Sequence, residues 1–150
     1  MTSSDQLWQG LQRVRTVEFV THGTSATGWS GGGSGVVTVE SPSSTVLVFR
    51  ESGIWRPTGG RDLRFHNVYR WTCFDKSVRL EHLRFGDEHP VFLFDLAPDP
   101  DGIWSSLTPH LCRQDTYTAR LRQEEAVLFL AWTITGPEKR EEIAYKYSLA

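Results

Sequence analysis

Alternation of apolar and polar side chains over residues 61–74 is the strongest constraint on how this chain can fold. Most apolar and aromatic side chains of the run share one parity, at Leu63, Phe65, Tyr69, Trp71 and Cys73. The positions between them hold Arg64, His66, Arg70 and Thr72. A period of two places alternate side chains on opposite faces of a β-strand, whereas a helix needs a period near 3.6. The run therefore predicts a long strand with one buried face.

Further runs of the same kind predict a fold made of about ten strands joined mostly by short turns. They are Val14–Thr21, Ser34–Glu40, Thr45–Ile54, Ser77–Leu83, His89–Ala97, Trp104–Cys112, Asp115–Arg122, Ala126–Thr135 and Glu138–Ser148. The Gly/Ser/Thr-rich segment Thr24–Gly33 is expected to be a loop, with a flexible turn at its glycines. No strand–helix–strand alternation appears, which excludes a doubly wound α/β fold. Short sequential connections predict a single up-and-down antiparallel β-barrel, closed so that no strand edge is exposed, with a β-sandwich as the alternative.

One short helix is expected before the first strand, over Ser4–Arg13, with Ser4 or Asp5 as its cap. Its apolar stripe comprises Leu7, Trp8 and Leu11. A helix this short needs packing to persist, so the stripe is expected to lie on the barrel. Residues 1–150 are accordingly expected to form one mainly β domain, with residues 1–13 packed against it.

Charge and cysteine usage exclude several classes of partner. The chain has 16 basic and 18 acidic side chains and a formal net charge of −2, which argues against bulk attraction to nucleic acid or an anionic membrane. The start has no signal-peptide pattern, and no apolar run is long enough to span a bilayer. Cys73 and Cys112 form no CxxC pair. We therefore predict a cytoplasmic protein with two reduced thiols.

A series of short motifs makes the chain resemble a known family. The series begins with Arg70-Trp71 in RFHNVYRWT and Phe92-Leu-Phe-Asp-Leu96. It continues with PHLCRQDTY at residues 109–117, Trp132, the turn Thr135-Gly-Pro-Glu-Lys139, and finally Tyr145 and Tyr147. In this order the motifs resemble the uncharacterised domain of unknown function 6314 family, over roughly residues 7–148. The resemblance implies a calycin-like β-barrel of the lipocalin type and no established activity.

The segment 110–117 concentrates polar chemistry at one predicted hairpin. Around the turn at residues 113–114, Cys112 is expected to face Asp115, and His110 to lie across from Tyr117. His110 and Asp115 are the candidate catalytic residues, with Asp115 orienting an imidazole that acts as a general base. Alternatively the cluster orients a ligand or closes the barrel by hydrogen bonding. We expect the ring of His110 on the concave side of the sheet, with a polar partner in reach.

Two cationic side chains are candidates for binding a ligand's acidic group. Arg70 is flanked by aromatic residues within a family motif, and Lys139 lies in the family-like turn. An arginine fork suits a carboxylate or phosphate, although an outward, solvent-facing position is the alternative for both. Aromatic residues would supply the walls of a cavity or fill a core. The predicted ligand-binding set is Arg70, Trp71, His110, Cys112, Tyr117, Trp132 and Lys139.

These residues predict a barrel that binds a small apolar or aromatic ligand with one acidic group. An acid–base enzyme (an isomerase, lyase or hydrolase) and a filled structural or interaction barrel are the alternatives, and a homodimer is left open. No metal site is predicted, since His110, Cys112 and Asp115 lack the spacing of a structural zinc site. No cofactor is predicted either. The alternative is haem, because Trp29, Gly31 and Gly33 are faintly similar to the opening motif of nitrobindins, which bind haem through one histidine.

Overall fold

The computed structural model describes residues 2–23 and 30–150, apart from the side chain of Cys112. One helix, α1 (Ser3–Gln12), precedes the strands. The strands are β1 (Val14–Gly23), β2 (Gly31–Ser43), β3 (Val46–Pro57), β4 (Leu63–Cys73), β5 (Val78–His82), β6 (Val91–Pro98), β7 (Trp104–Ser106), β8 (His110–Cys112), β9 (Asp115–Glu124), β10 (Val127–Thr135) and β11 (Arg140–Leu149).

The strands form one closed antiparallel barrel, as the alternation predicts. Strands adjacent in sequence pair with each other from β1 to β7, β7 pairs with β9, and the series continues through β10 to β11. Pairing of β11 with β1, from Val14 to Gly23, closes the ring of ten strands. The remaining strand, β8, lies outside this ring and pairs with the first residues of β9. Closure leaves neither end of the meander as an unpaired edge, which favours a barrel over the alternative sandwich.

The predicted strand Trp104–Cys112 is divided in two, which corrects its expected bounds. β7 ends at Ser106 and β8 begins at His110. Pro109 has no N–H to donate to a ladder and restricts the residue before it, so the strand cannot continue through this point. The amide of Leu107 instead donates to the carbonyl of Asp95 in β6, at 2.8 Å.

The glycine run at residues 31–35 is a strand and not the flexible turn expected from its composition. It pairs with β1 on one side and β3 on the other. A Cβ atom added at Gly33 would lie 2.3 Å from Cζ of Phe19. Glycine leaves room here for an aromatic ring that lies directly over the backbone of β2. Residues 24–29 of the predicted loop lie outside the described part of the chain.

Helix α1 packs at one end of the barrel, which we call the lower end. Leu7 and Leu11 are 2% and 0% exposed and belong to the main apolar cluster, while Trp8 is partly buried against it. The cap is Thr2 and not the expected Ser4 or Asp5: the Thr2 hydroxyl accepts from the Asp5 amide, and the Asp5 carboxylate accepts from the Thr2 amide. Within the described residues, no helix is both long and apolar enough to cross a membrane.

The lower half of the barrel is filled with side chains. The turns that lead from β2 to β3, β4 to β5, β6 to β7 and β9 to β10 lie at this end, beside α1. Large side chains of the inward parity occupy it: Leu47, Phe49, Trp71, Leu80, Leu96, Leu121 and Leu128 are each at most 1% exposed. Burial of these apolar side chains stabilises the folded barrel. The opposite, upper half is open.

Candidate ligand-binding cavity

A cavity of about 540 Å³ occupies the upper half of the barrel. Its walls are the upper ends of the strands, where the inward parity carries aromatic side chains. Eight of them line it: Phe19, Trp55, Phe65, Tyr69, Phe92, Tyr117, Trp132 and Tyr145. Ligand sites of proteins typically have this size and this mainly apolar lining. The barrel is therefore neither filled throughout nor a pore.

The aromatic side chains of the cavity wall contact one another. Phe19 stacks on Trp55 with centroids 5.6 Å apart, and its ring meets Phe65 edge-on at 5.2 Å. Trp132 contacts Tyr145 at 5.7 Å. Such offset and edge-on contacts hold flat side chains in defined orientations. The cavity is thus bounded by rings that support one another before any ligand enters.

The polar lining of the cavity is cationic or neutral. Arg64 and Arg84 lie at its edge and are exposed, and His82 and His110 lie on its wall, while none of the described lining residues is an aspartate or glutamate. His82 stacks on Tyr69 with ring centroids 4.8 Å apart. Burial, and secondly the charge of Arg84, lower the pKa of His82. The edge of the cavity nearest solvent therefore carries two arginines, with no carboxylate among the described lining residues.

The hairpin around residues 113–114 has the register expected from sequence. Cys112 pairs with Asp115, and His110 with Tyr117. His110 and Tyr117 both line the cavity, and their rings meet edge-on with centroids 5.8 Å apart. Phe92 contacts the other side of the imidazole at 5.3 Å. Among the described residues, none donates a hydrogen bond to His110 or accepts one from it, so its neighbours are aromatic rather than the expected polar partner.

Asp115 does not orient His110, contrary to the arrangement expected for an acid–base pair. Its Oδ2 lies 3.2 Å from Nζ of Lys139, and neither residue lines the cavity. The hydrogen bond with Asp115 raises the pKa of Lys139. The two residues thus connect the start of β9 to the turn between β10 and β11. The structure brings these two predicted site residues together, but outside the cavity.

The remaining predicted site residues fall in three places. Arg70 is on the outer face of β4, where its Nη2 lies 2.9 Å from Oε1 of Glu81, so it is not at the cavity. Trp71 is 1% exposed in the filled lower half, beside Phe49. Trp132 lines the cavity. The side chain of Cys112 lies outside the described residues.

Sequence reasoning missed a buried carboxylate below the cavity. Glu51 in β3 is 0% exposed, and the hydroxyl of Tyr147 donates to its Oε2 at 2.6 Å. Burial raises the pKa of Glu51 to about 7, against the opposing effect of the Tyr147 hydrogen bond. The signal was present in the sequence, because Glu51 shares the parity of Leu47 and Phe49. A charged residue at an inward position of an otherwise apolar face marks a special site.

The described residues offer no cluster of three or more histidine, cysteine, aspartate or glutamate side chains that could hold a metal ion. Haem binding would need a histidine ligand, and the described imidazoles at the cavity are those of His82 and His110. Trp29, part of the similarity to nitrobindins, lies outside the described residues.

Comparison with known proteins identifies the family. No curated protein matches the chain significantly. Among solved structures, the S-type phycobiliprotein lyase CPES from Guillardia theta is similar, with a TM-score of 0.64 and 6% sequence identity, over 99% of this chain and 93% of that chain. At this identity the likeness shows a shared barrel fold alone. Residues 12–149 match the family described as a family of unknown function (DUF6314), and the predicted resemblance is confirmed. The chain belongs to the DUF6314 family.

Proposed function

We propose that this barrel binds a small, flat, largely apolar or aromatic ligand that carries one acidic group. The observation that carries the proposal is the cavity of about 540 Å³, with eight aromatic rings in its wall and two arginines at its edge. Aromatic walls favour a flat ligand through stacking and burial of apolar area. Arginine recognises a carboxylate or another oxyanion through paired hydrogen bonds.

Unpaired polar atoms in the wall support binding rather than a filled barrel. Nε1 of Trp132 and Oγ1 of Thr21 are buried and have no hydrogen-bond partner among the described residues. Both residues line the cavity. A buried donor without a partner carries a free-energy cost, which a ligand acceptor placed beside it would remove. These two groups would fix the orientation of a ligand held mainly by its apolar body.

The anchor for the acidic group is assigned to Arg64 and Arg84 instead of Arg70. Arg70 is held on the outer face by Glu81, whereas Arg64 and Arg84 border the cavity. Long arginine side chains can extend over the rim while their aliphatic stems pack on apolar surface. His110, Tyr117 and Trp132 remain in the proposed binding set as wall residues. The similarity to the phycobiliprotein lyase supports the barrel fold and does not identify the ligand.

The enzymatic alternative receives less support from the geometry. An acid–base pair of His110 and Asp115 needs the two side chains in contact, and Asp115 is instead paired with Lys139. Tyr117 contacts His110 ring to ring. We therefore place the acid–base reading second to ligand binding.

Two fluorescent dyes that differ in one acidic group test the proposal. 8-Anilinonaphthalene-1-sulfonate carries a sulfonate, and N-phenyl-1-naphthylamine has the same aromatic body without it. Both dyes should bind the native protein with a rise in fluorescence. Replacing Arg64 and Arg84 together with alanine should weaken the sulfonate dye by about tenfold and leave the uncharged dye within about twofold.

A matched double variant controls for loss of surface charge. Arg61→Ala with Arg120→Ala removes two exposed arginines that do not line the cavity, so both affinities should stay at their original values. If neither dye binds the native protein, the proposed function is wrong. If the Arg64/Arg84 variant weakens both dyes equally, the acidic group is not recognised where we place it.

A further inference from the structure

Glu51 is a buried carboxylate with one oxygen in use and one without a partner. Tyr147 donates to Oε2, and Oε1 is buried with no hydrogen-bond partner among the described residues. No ion pair within the described ranges involves this carboxylate. A buried acceptor in this state costs free energy that a donor would recover. Packing alone does not explain a carboxylate at this position, because an apolar side chain would pack there without this cost.

The carboxylate lies directly below the floor of the cavity. Asn67, its cross-strand partner in β4, lines the cavity. Along β3, the next position of the same parity is Gly53, and the one after it is Trp55, which also lines the cavity. Gly53 has no side chain, so β3 itself places nothing between the carboxylate and the cavity. Access from above depends on the floor residues alone.

Two tyrosine hydroxyls form that floor. Tyr69 and Tyr145 line the cavity, and their hydroxyl oxygens are 3.4 Å apart. The charge of Glu51 contributes to the raised pKa of both tyrosines, after the larger effect of burial, so the carboxylate and the hydroxyls form one cluster. Oε1 has no hydrogen-bond partner among the described residues, so neither hydroxyl reaches it here, and a donor would come from a ligand group at the floor or from a phenol that the ligand shifts. The cluster thus places an acceptor without a partner below a cavity that has no carboxylate in its described lining.

We propose that the cavity is two-ended, and that Glu51 accepts a hydrogen bond, directly or through the floor hydroxyls, from a neutral amine or hydroxyl at the buried end of the ligand. The acidic group of the same ligand stays at the rim with Arg64 and Arg84, because a second anion beside Glu51 would be repelled. This inference rests on the proposed function and narrows its ligand class. The ligand is then an aromatic acid whose far end carries a hydrogen-bond donor.

The hydrogen bond that Glu51 accepts from the ligand should strengthen as pH rises. Burial raises the pKa of Glu51 to about 7, so the carboxyl group loses its proton in the neutral range. The tyrosines around it are Tyr69, Tyr145 and Tyr147, and burial raises the pKa of each, so they remain neutral there. The imidazole of His82 stacks on Tyr69 from the cavity side and titrates at lower pH than usual. An ionised carboxylate accepts a stronger hydrogen bond than a neutral carboxyl group.

A matched pair of rigid ligands tests the inference: 4′-aminobiphenyl-4-carboxylate and 4′-methylbiphenyl-4-carboxylate. They share the acid and the aromatic body, and the amino group is replaced by a methyl group of similar size. Arg64 and Asn67 are three residues apart in β4, about 10 Å along the strand, which the biphenyl body spans. Affinities are measured by competition with 8-anilinonaphthalene-1-sulfonate at about pH 6 and about pH 8.

The native protein should bind the amino ligand about tenfold more tightly than the methyl ligand at the higher pH, with a smaller preference at the lower pH. Both ligands carry the same carboxylate, so an effect of pH on the binding of that group cancels in the ratio of their affinities. Glu51→Gln should abolish both the preference and its pH dependence. Glu18→Gln, on an exposed position of β1, should keep them.

The results separate the two proposals. Equal affinities for the two ligands in the native protein at both pH values overturn this inference and leave the proposed function standing. Failure of both ligands and of the dye to bind overturns the proposed function, and this inference with it. If Glu51→Gln does not fold, the pH dependence of the affinity ratio in the native protein decides alone: a ratio that does not rise with pH overturns the inference.

Discussion

Glu51 shows how one residue can oppose the packing around it. It occupies an inward position of β3 between Phe49 and Gly53, 0% exposed, with Tyr147 as its hydrogen-bond donor. Inside the barrel an ionised carboxylate lacks the solvation that water gives it in the unfolded chain, and one hydroxyl replaces that solvation only in part. The folded state therefore holds the proton of Glu51 more tightly than the unfolded chain does.

This difference predicts a pH-dependent stability. The pKa of Glu51 rises from an ordinary 4.5 to about 7 on folding, so the folded state binds more protons between these values. The free energy of unfolding should fall as pH rises through this window, by up to about 3 kcal/mol, and level off above it. Urea denaturation at a series of pH values measures it. Glu51→Gln should lose this decline relative to the native protein, and Glu18→Gln should retain it; parallel curves for all three proteins would contradict the assignment.

Gly33 allows a second prediction at the scale of one residue. A Cβ atom there would lie 2.3 Å from Cζ of Phe19, so Gly33→Ala must displace a ring of the cavity wall. We expect a loss of about 1–3 kcal/mol in stability and weaker binding of N-phenyl-1-naphthylamine. Gly32→Ala is the matched control, because its Cβ would be 3.4 Å from the nearest atom, the carbonyl oxygen of Phe19. Equal behaviour of the two variants would show that Phe19 is not held as described.

At the scale of elements, α1 contributes to stability through its packed stripe. Leu7 and Leu11 are almost completely buried against the lower half of the barrel. Removing residues 2–12 should cost roughly 3–6 kcal/mol of burial and lower the melting temperature by roughly 10 °C or more. Thermal unfolding followed by circular dichroism measures the change. Gln9→Ala, on the exposed side of α1, should melt like the native protein, and an unchanged melting curve of the truncated chain would contradict the role of the helix.

The elements also show what the sequence could and could not predict. Alternation located most strands, and a two-residue turn fixed the pairing of His110 with Tyr117, because hairpin register follows from loop length. The break between β7 and β8 was missed because the alternation continues through Pro109, whose effect is on the backbone. The glycines of β2 look like a turn until the ring of Phe19 is in place above them.

The cationic anchors illustrate the remaining limit. Arg70 and Arg64 have the same parity in β4, and sequence favoured Arg70 for its aromatic neighbours. Arg64 lies near the end of the strand, beside the cavity, while Arg70 lies further along the barrel wall, opposite Glu81 of the next strand. The position of a residue along the axis of a closed barrel depends on the stagger of all the strands, which no local sequence pattern specifies.

At the scale of the whole molecule, the chain should be free of disulfides. Cys73 is a free thiol in the structure, and burial raises its pKa, which slows its reaction at neutral pH. Titration under denaturing, non-reducing conditions should count two thiols per chain, one from each cysteine of the sequence. Cys73→Ser should reduce the count to one. A count of zero for the native chain would show that the two cysteines are joined.

The division of the barrel into a filled half and an open half separates two kinds of mutational freedom. Substitutions among Leu47, Phe49, Trp71 and Leu128 change the packed core and are constrained by volume. Those among Phe65, Phe92 and Tyr117 border an open space, where a change of size alters the shape offered to a guest without forcing a backbone shift. Related chains can thus diverge in what they hold while folding alike. For the same reason, a library randomised at these upper positions would be a natural starting point for selecting barrels with new specificities.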